Sequence, residues 1–352
     1  MKKNLLILVV LITCVCLIVT GCGGSQEPNV PTEGSKVSYE PVEWEAFLSA
    51  IMADAHNDGI VQVAKNVEER TDGKFKINLR VTGEVPYDPT EIISTVSQNL
   101  MQIGDALTAN SAGEIPSAAL PSYPFLIPSW DESRKVMDAI QPYVEAEMLD
   151  KRDVSILFNC PDPPQYIWGK GEPVTTLEDF SGTNFRGHNV FVQSFFAKVG
   201  ANSISIPYTE IATAISRNVI EGFVTGSSVV TSTKFYEMID WVTEVPFGMA
   251  GSWWIVNNEA FNELPEEWQD ILVEECQKAS DLMWNEVTAQ VHETNMKEIA
   301  GYKDGYIKIL PYDQEFYEKG RDLMKDDWDK WATESGQYSI DALDAAMKVL
   351  GN

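Results

Sequence analysis

Histidine is nearly missing from this chain: His56, His188 and His292 are the only three in 352 residues. No two of them stand at a metal-ligand spacing, so no histidine-built metal site is expected. Cysteine is sparse too. Of the five, Cys14, Cys16 and Cys22 lie near the N-terminus, and Cys160 and Cys276 match no metal or redox spacing. The last two leave a disulfide and a pair of buried free thiols both open. Positive charge is short: 26 Lys and Arg against 53 Asp and Glu give a formal net charge of -27. Nucleic acid and anionic membrane surfaces are therefore poor partners. The sequence has no G-x-S-x-G elbow, no P-loop and no H-E-x-x-H helix, which removes the enzyme classes built on them. Carboxylates are plentiful, but that follows from composition, and spacing alone picks out no acid–base pair. No repeat of solenoid period is visible, and no cofactor is expected.

Long apolar runs are confined to the start. Lys2 and Lys3 form a basic n-region, and Leu5 to Val19 is the length of a signal-peptide core and short for a membrane span. Small residues then precede a cysteine, Val19-Thr20-Gly21-Cys22. This resembles a bacterial lipobox, which implies a signal peptide over 1–21 and lipid on the Cys22 thiol. Residues 22–37 are rich in Gly, Ser, Pro, Glu and Asn. Such a segment buries too little apolar surface to offset its ordering entropy, so it reads as a flexible tether. The remainder is too long for one comfortable core, and two lobes are the default. Its 10 Trp, 12 Tyr and 14 Phe supply ample apolar bulk.

Helical and alternating patterns follow one another along that remainder. Ile60 to Arg70 has helical spacing and ends at Thr71-Asp72-Gly73, and Phe75 to Val81 alternates as a strand. Further strands are expected at 103–107, 154–158, 183–186, 203–206, 220–224, 252–256 and 307–310. Helices are expected at 90–100, 130–149, 191–199, 208–217 with Thr209 as N-cap, 265–292 and beyond, and 314–334. The alternation predicts an α/β fold with largely parallel sheets. Arg186 falls where a short strand ends and a helix begins, and a lone fixed cation there suits a ligand carboxylate.

Several segments resemble the extracytoplasmic solute-binding proteins of tripartite ATP-independent periplasmic (TRAP) transporters. They are EERTDGKFKINL, ALPSYPFLIPSWDESRKVMD, NELPEEWQDIL and, most specifically, DFSGTNFRGHN, VGANSISIPYTEIATAI, NVIEGF and TKFYEM in family order. The resemblance spans about Glu43 to Leu350. It implies a two-lobed periplasmic-binding-protein-like fold, hinged by crossover strands and a long helix, with ligand in the interlobe cleft. Mapped here, lobe one is 38–160 plus 250–290, and lobe two is 161–249 plus 291–352. It further implies a monomeric receptor that closes on a small organic acid and delivers it to membrane permease subunits. A sensory binding protein and a secreted enzyme on the same scaffold are the rival readings.

The same resemblance implies the site. Arg186 pairs with the ligand carboxylate, although His188 stands where the family usually has proline. Asn189 and Tyr208 are its expected neighbours. Gln165 takes the place of a second arginine, which argues against a second buried ligand carboxylate. Thr225 replaces a longer polar residue, and Trp168 is a candidate pocket wall. Trp253 and Trp254 point to opposite faces of one strand, so one, Trp254, is a candidate to stack on ligand. Asp54, His56, Thr108 and Asn110 are the candidates from lobe one.

Overall fold

The computed structural model describes residues 39–351 apart from 51, 53, 208 and 209. The expected signal peptide, Cys22, the tether, Tyr208 and Thr209 lie outside the described residues. The described residues form one compact unit. Its strands are β1 (Val42–Leu48), β2 (Phe75–Val81), β3 (Ile103–Leu107), β4 (Val154–Pro161), β5 (Gln165–Gly169), β6 (Asn184–Arg186), β7 (Asn202–Ile204), β8 (Gly222–Thr225), β9 (Trp241–Gly248), β10 (Gly251–Asn257) and β11 (Lys308–Leu310).

They make two sheets, ordered β2-β1-β3-β10-β4 and β11-β9-β5-β8-β6-β7. The expectation of largely parallel sheets needs correction, because both are mixed. β10 runs antiparallel to β3 and β4, and β5 runs antiparallel to β8 and β9. The reason is topological: β5 and β10 each enter from the other sheet and so run against their neighbours.

Those crossings build the hinge. The chain passes from β4 to β5 through Asp162, Pro163 and Pro164, and from β9 back to β10 through Met249 and Ala250. The two crossings are bonded to each other, with the Asp162 amide donating to the Ala250 carbonyl at 3.0 Å. A third connection is helical. Glu266–Leu282 packs on the first sheet's side, Thr288–Gly301 packs on the helix Ser227–Ser232, and a π turn, Met283–Val287, joins them. Trp284 Nε1 donates to Asn159 Oδ1 at 2.7 Å and fixes that turn to β4.

Each side carries a buried cluster. Trp44, Phe75, Phe158, Trp254, Trp268 and Cys276 belong to the first. Trp168, Ile211, Phe223, Phe235 and Ile239 belong to the second. Cys160 and Cys276 are both buried free thiols. The helix Gln337–Val349 departs from the expected lobe boundary, which gave all of 291–352 to lobe two. Its Ala342, Leu343 and Ala346 stripe packs against the helix Trp130–Arg152 on the first sheet's side.

Candidate functional site

A cavity of about 270 Å³ opens where the strand ends of both sheets meet the two crossings. Such positions collect ligands because strand termini and loops converge there. Arg186 closes β6, paired in register with Ile204 of β7 and Phe223 of β8. Its Nε donates to the Ile206 carbonyl at 3.1 Å. The residue is buried at 9% exposure, yet among the described residues no carboxylate forms an ion pair with it. Burial alone pulls its pKa down to about 10, so it stays charged at neutral pH. Gly187 follows it and lets Gln193 and Ser203 pack close to the backbone: a Cβ there would lie 2.7 Å from both Gln193 Cγ and Ser203 Oγ.

His188 also lines the cavity. Burial, with the neighbouring guanidinium, pushes its pKa down to about 3, so it is neutral, and its buried Nδ1 has no hydrogen-bond partner. Asn189, by contrast, caps the helix Val190–Lys198, its side chain accepting from the Val192 amide at 2.9 Å. It is absent from the cavity wall.

Gln165 and Thr225 line the cavity from β5 and β8. The Gln165 amide donates to the Pro163 carbonyl at 3.0 Å. Trp168 is corrected from wall to support. It is fully buried and donates from Nε1 to the Thr225 carbonyl at 2.8 Å, holding that residue from below. Trp254 is likewise core: it is fully buried and stacks on Phe158 at 5.6 Å. Trp253 is buried too and bonds the Ala118 carbonyl. Thr108 is sealed beneath the cavity, sharing a 2.8 Å hydrogen bond with Ser122 and accepting from the Gly251 amide. Asn110 lies on the wall.

The first sheet's side contributes an ion cluster. Asp54 caps the short turn Ala55–Asn57 by accepting from the His56 amide at 3.0 Å. His56 Nε2 lies 3.0 Å from Asp105 Oδ2, and Nδ1 lies 2.9 Å from Asp162 Oδ1, the latter a charge contact with poor hydrogen-bond angles. Asp105 also accepts from Ser252 Oγ and from the Ser49 amide. Burial opposes charge on His56, but Asp105 and Asp162 outweigh it and hold its pKa well above the ordinary value. Burial would raise Asp105, and the His56 contact more than reverses that. Asp54 is raised, chiefly by burial.

The cavity thus gathers Arg186, Gln165, Thr225, Asn110, His56 and Asp54. Sequence reasoning missed Asp105, Asp162 and His188 as its partners. Asp105 carried a signal, a single charge inside the apolar strand Ile103–Leu107. Asp162 had none beyond its place among prolines. Among the described residues no cluster of His, Cys, Asp and Glu is arranged to hold a metal ion.

Two α/β lobes joined by two strand crossings and a long helix, with a polar cavity between them, define a solute receptor. The family comparison agrees: the model for bacterial extracellular solute-binding protein, family 7, matches residues 53–334, and the chain belongs to that family. It is therefore an extracytoplasmic binding protein of the TRAP type and not an enzyme. The 2,3-diketo-L-gulonate-binding periplasmic protein YiaO of Escherichia coli is 23% identical over 84% of this chain and 86% of its own length. A Bordetella pertussis extracytoplasmic solute receptor binding pyroglutamic acid superposes with TM-score 0.79 at 25% identity, covering 87% of this chain and 100% of the receptor. A marine metagenome TRAP solute-binding protein specific for pyroglutamate has TM-score 0.77 at 21% identity, covering 88% of this chain and 100% of that one.

Proposed function

We propose that this chain captures a small organic acid outside the cytoplasmic membrane, holds its carboxylate on Arg186, and hands it to the permease of a TRAP transporter. The observation that carries this reading is a buried guanidinium on a cavity wall without a carboxylate partner among the described residues. A planar fork of donors fits a carboxylate bidentately, and the pairing strengthens as water is excluded. Asn110, Gln165, Thr225 and His188 add polar groups around it. The acids named for the similar receptors, diketogulonate and pyroglutamate, are of the same class. The ligand shifts the lobes toward closure by its differential affinity for the closed state.

The test is a thermal melt of the protein against a panel of small acids, with Arg186→Gln in parallel. An acid at a hundredfold excess over its Kd stabilises the wild type by about 2.7 kcal/mol. The variant is expected to show no shift. Equal shifts in both proteins would remove Arg186 from the site.

We also propose that lipid on Cys22 tethers the receptor to the membrane. The support is the Val19-Thr20-Gly21-Cys22 sequence after an apolar run. Labelled palmitate is expected to enter the wild type and not Cys22→Ser. Equal labelling of both would exclude this anchor.

A further inference from the structure

The cavity carries charge of both signs, one from each lobe. Arg186 stands on the second sheet's side, nine-tenths buried and without a carboxylate partner among the described residues. Asp54 and Asp162 line the cavity with His56, and Asp105 lies behind His56. One histidine cation thus faces three carboxylates, and that wall keeps an excess of negative charge.

The wall has no place for a second ligand carboxylate. His56 is already flanked by two carboxylates: Nε2 is hydrogen-bonded to Asp105, and Nδ1 lies 2.9 Å from Asp162 in a charge contact. Gln165 is a neutral amide, and no lysine lines the cavity among the described residues. A dicarboxylate would force its second charge against Asp54 and Asp162 in a site that loses water on closure, where an unpaired buried charge is costly. An acid with an uncharged remainder would satisfy Arg186 and leave the acidic wall without a cation. Burial already lifts the Asp54 carboxyl above its ordinary value, with His56 only partly offsetting it, which is the state of a carboxylate short of positive charge.

We infer that the solute is a zwitterion: a compact molecule whose carboxylate meets Arg186 and whose cationic nitrogen meets Asp54 and Asp162. This rests on the carboxylate reading of Arg186 and adds the second pole. The class includes free amino acids, cyclic imino acids and betaines small enough for about 270 Å³.

The experiment uses the full chain in detergent, followed by tryptophan-fluorescence melts and titration calorimetry. The central comparison is L-proline against L-pyroglutamate, which share a ring and a carboxylate and differ in the charge on nitrogen. Free amino acids, glycine betaine and succinate complete the panel. At least one zwitterion is expected to bind about tenfold or more tighter than every acid lacking a cation, the scale of one charge-assisted hydrogen bond. Asp162→Asn and Asp54→Asn should each reduce that preference about tenfold, read as the ratio of zwitterion to uncharged-nitrogen acid affinity in the same variant. Asparagine at 54 retains a side-chain oxygen for the cap, so that variant carries the test if Asp162→Asn fails to fold. The inference is overturned if no zwitterion binds, or if pyroglutamate or succinate binds as tightly as the best zwitterion. Should an acid bind through Arg186 while no zwitterion does, the carboxylate reading survives and the zwitterion falls. A zwitterion that binds Arg186→Gln as well as wild type overturns both.

Discussion

At the scale of single residues, the cavity contrasts two buried cations. Arg186 has a cavity and, among the described residues, no carboxylate partner, whereas His56 has two carboxylates, one at each ring nitrogen. The first is the group the proposed function assigns to the ligand, and the second is held by the fold. The folded state binds the His56 proton more tightly than the unfolded chain does. Its contribution is therefore complete below the ordinary value of 6.5 and fades as pH rises through the folded value, well above 6.5. Asp105 works in the opposite sense: its contribution is present above the unfolded value of 3.8 and is lost as pH falls through the lowered folded one. His56→Gln leaves Asp105 buried without its cation and should cost about 3–5 kcal/mol. Urea midpoints near neutral pH measure the cost. The alkaline decline of the midpoint should also weaken in the variant. An unchanged midpoint and an unchanged decline would show that the pair contributes nothing. The polar half of this site was legible because Arg186, Gln165, Thr225, His56 and Asn110 sit at strand ends and turns that the sequence pattern locates. The acidic half was hidden, because residues 105 and 162 meet His56 only through sheet pairing and a crossing, with no sequence spacing to announce them.

At the scale of elements, legibility followed local pattern. Phe75–Val81 stands where alternation put it, because an apolar set facing one way fixes a strand; Ile103–Leu107 stands where a short strand was expected and is buried on both faces. Strand β5 is only five residues long and follows directly on Pro163 and Pro164, and that proline run hides it in the sequence. Strand β9 contains Pro246, which ordinarily argues against a strand. It is tolerated because the β5–β9 register shifts between Gln165 and Ile167, so the proline occupies a bulge and no ladder donor is lost. The long helix was legible as one amphipathic run. Its π turn, Met283–Val287, was not, because the cause is the two surfaces the helix serves: β4 and the helix Asp58–Arg70 before the turn, Ser227–Ser232 after it. Such single π turns relieve a mismatch between packing faces, and here the mismatch lies at the hinge. The tryptophans failed as site markers for a related reason. A pattern gives the face of a strand, and both faces of β10 are covered.

At the scale of the whole molecule, the two lobes share a core on the hinge side. Phe125 belongs to the segment after β3, yet its ring lies 5.2 Å from Phe195, 5.0 Å from Phe247 and 5.7 Å from Tyr317. Its amide donates to the Phe247 carbonyl at 2.8 Å, and its carbonyl accepts from Tyr317 Oη at 2.9 Å. Gly320 lies over the ring so closely that a Cβ would stand 2.9 Å from it. The residue holds φ 58°, a conformation a bulky side chain adopts only where its surroundings enforce it. A receptor that opens at its cavity must stay joined elsewhere, and this aromatic cluster is a place where the two sides are joined. The consequence is cooperativity: lobes with a common core cannot unfold one at a time. Urea unfolding should therefore give one transition, with tryptophan fluorescence and far-ultraviolet circular dichroism coincident. Phe125→Ala should lower stability by about 3–5 kcal/mol, the usual cost of emptying a buried aromatic site. The loss should fall on that single transition, since both lobes depend on the ring. Two resolved transitions in the wild type, or a variant in which only one probe shifts, would mean that the lobes are stabilised separately and that the contact at Phe125 is incidental to the fold.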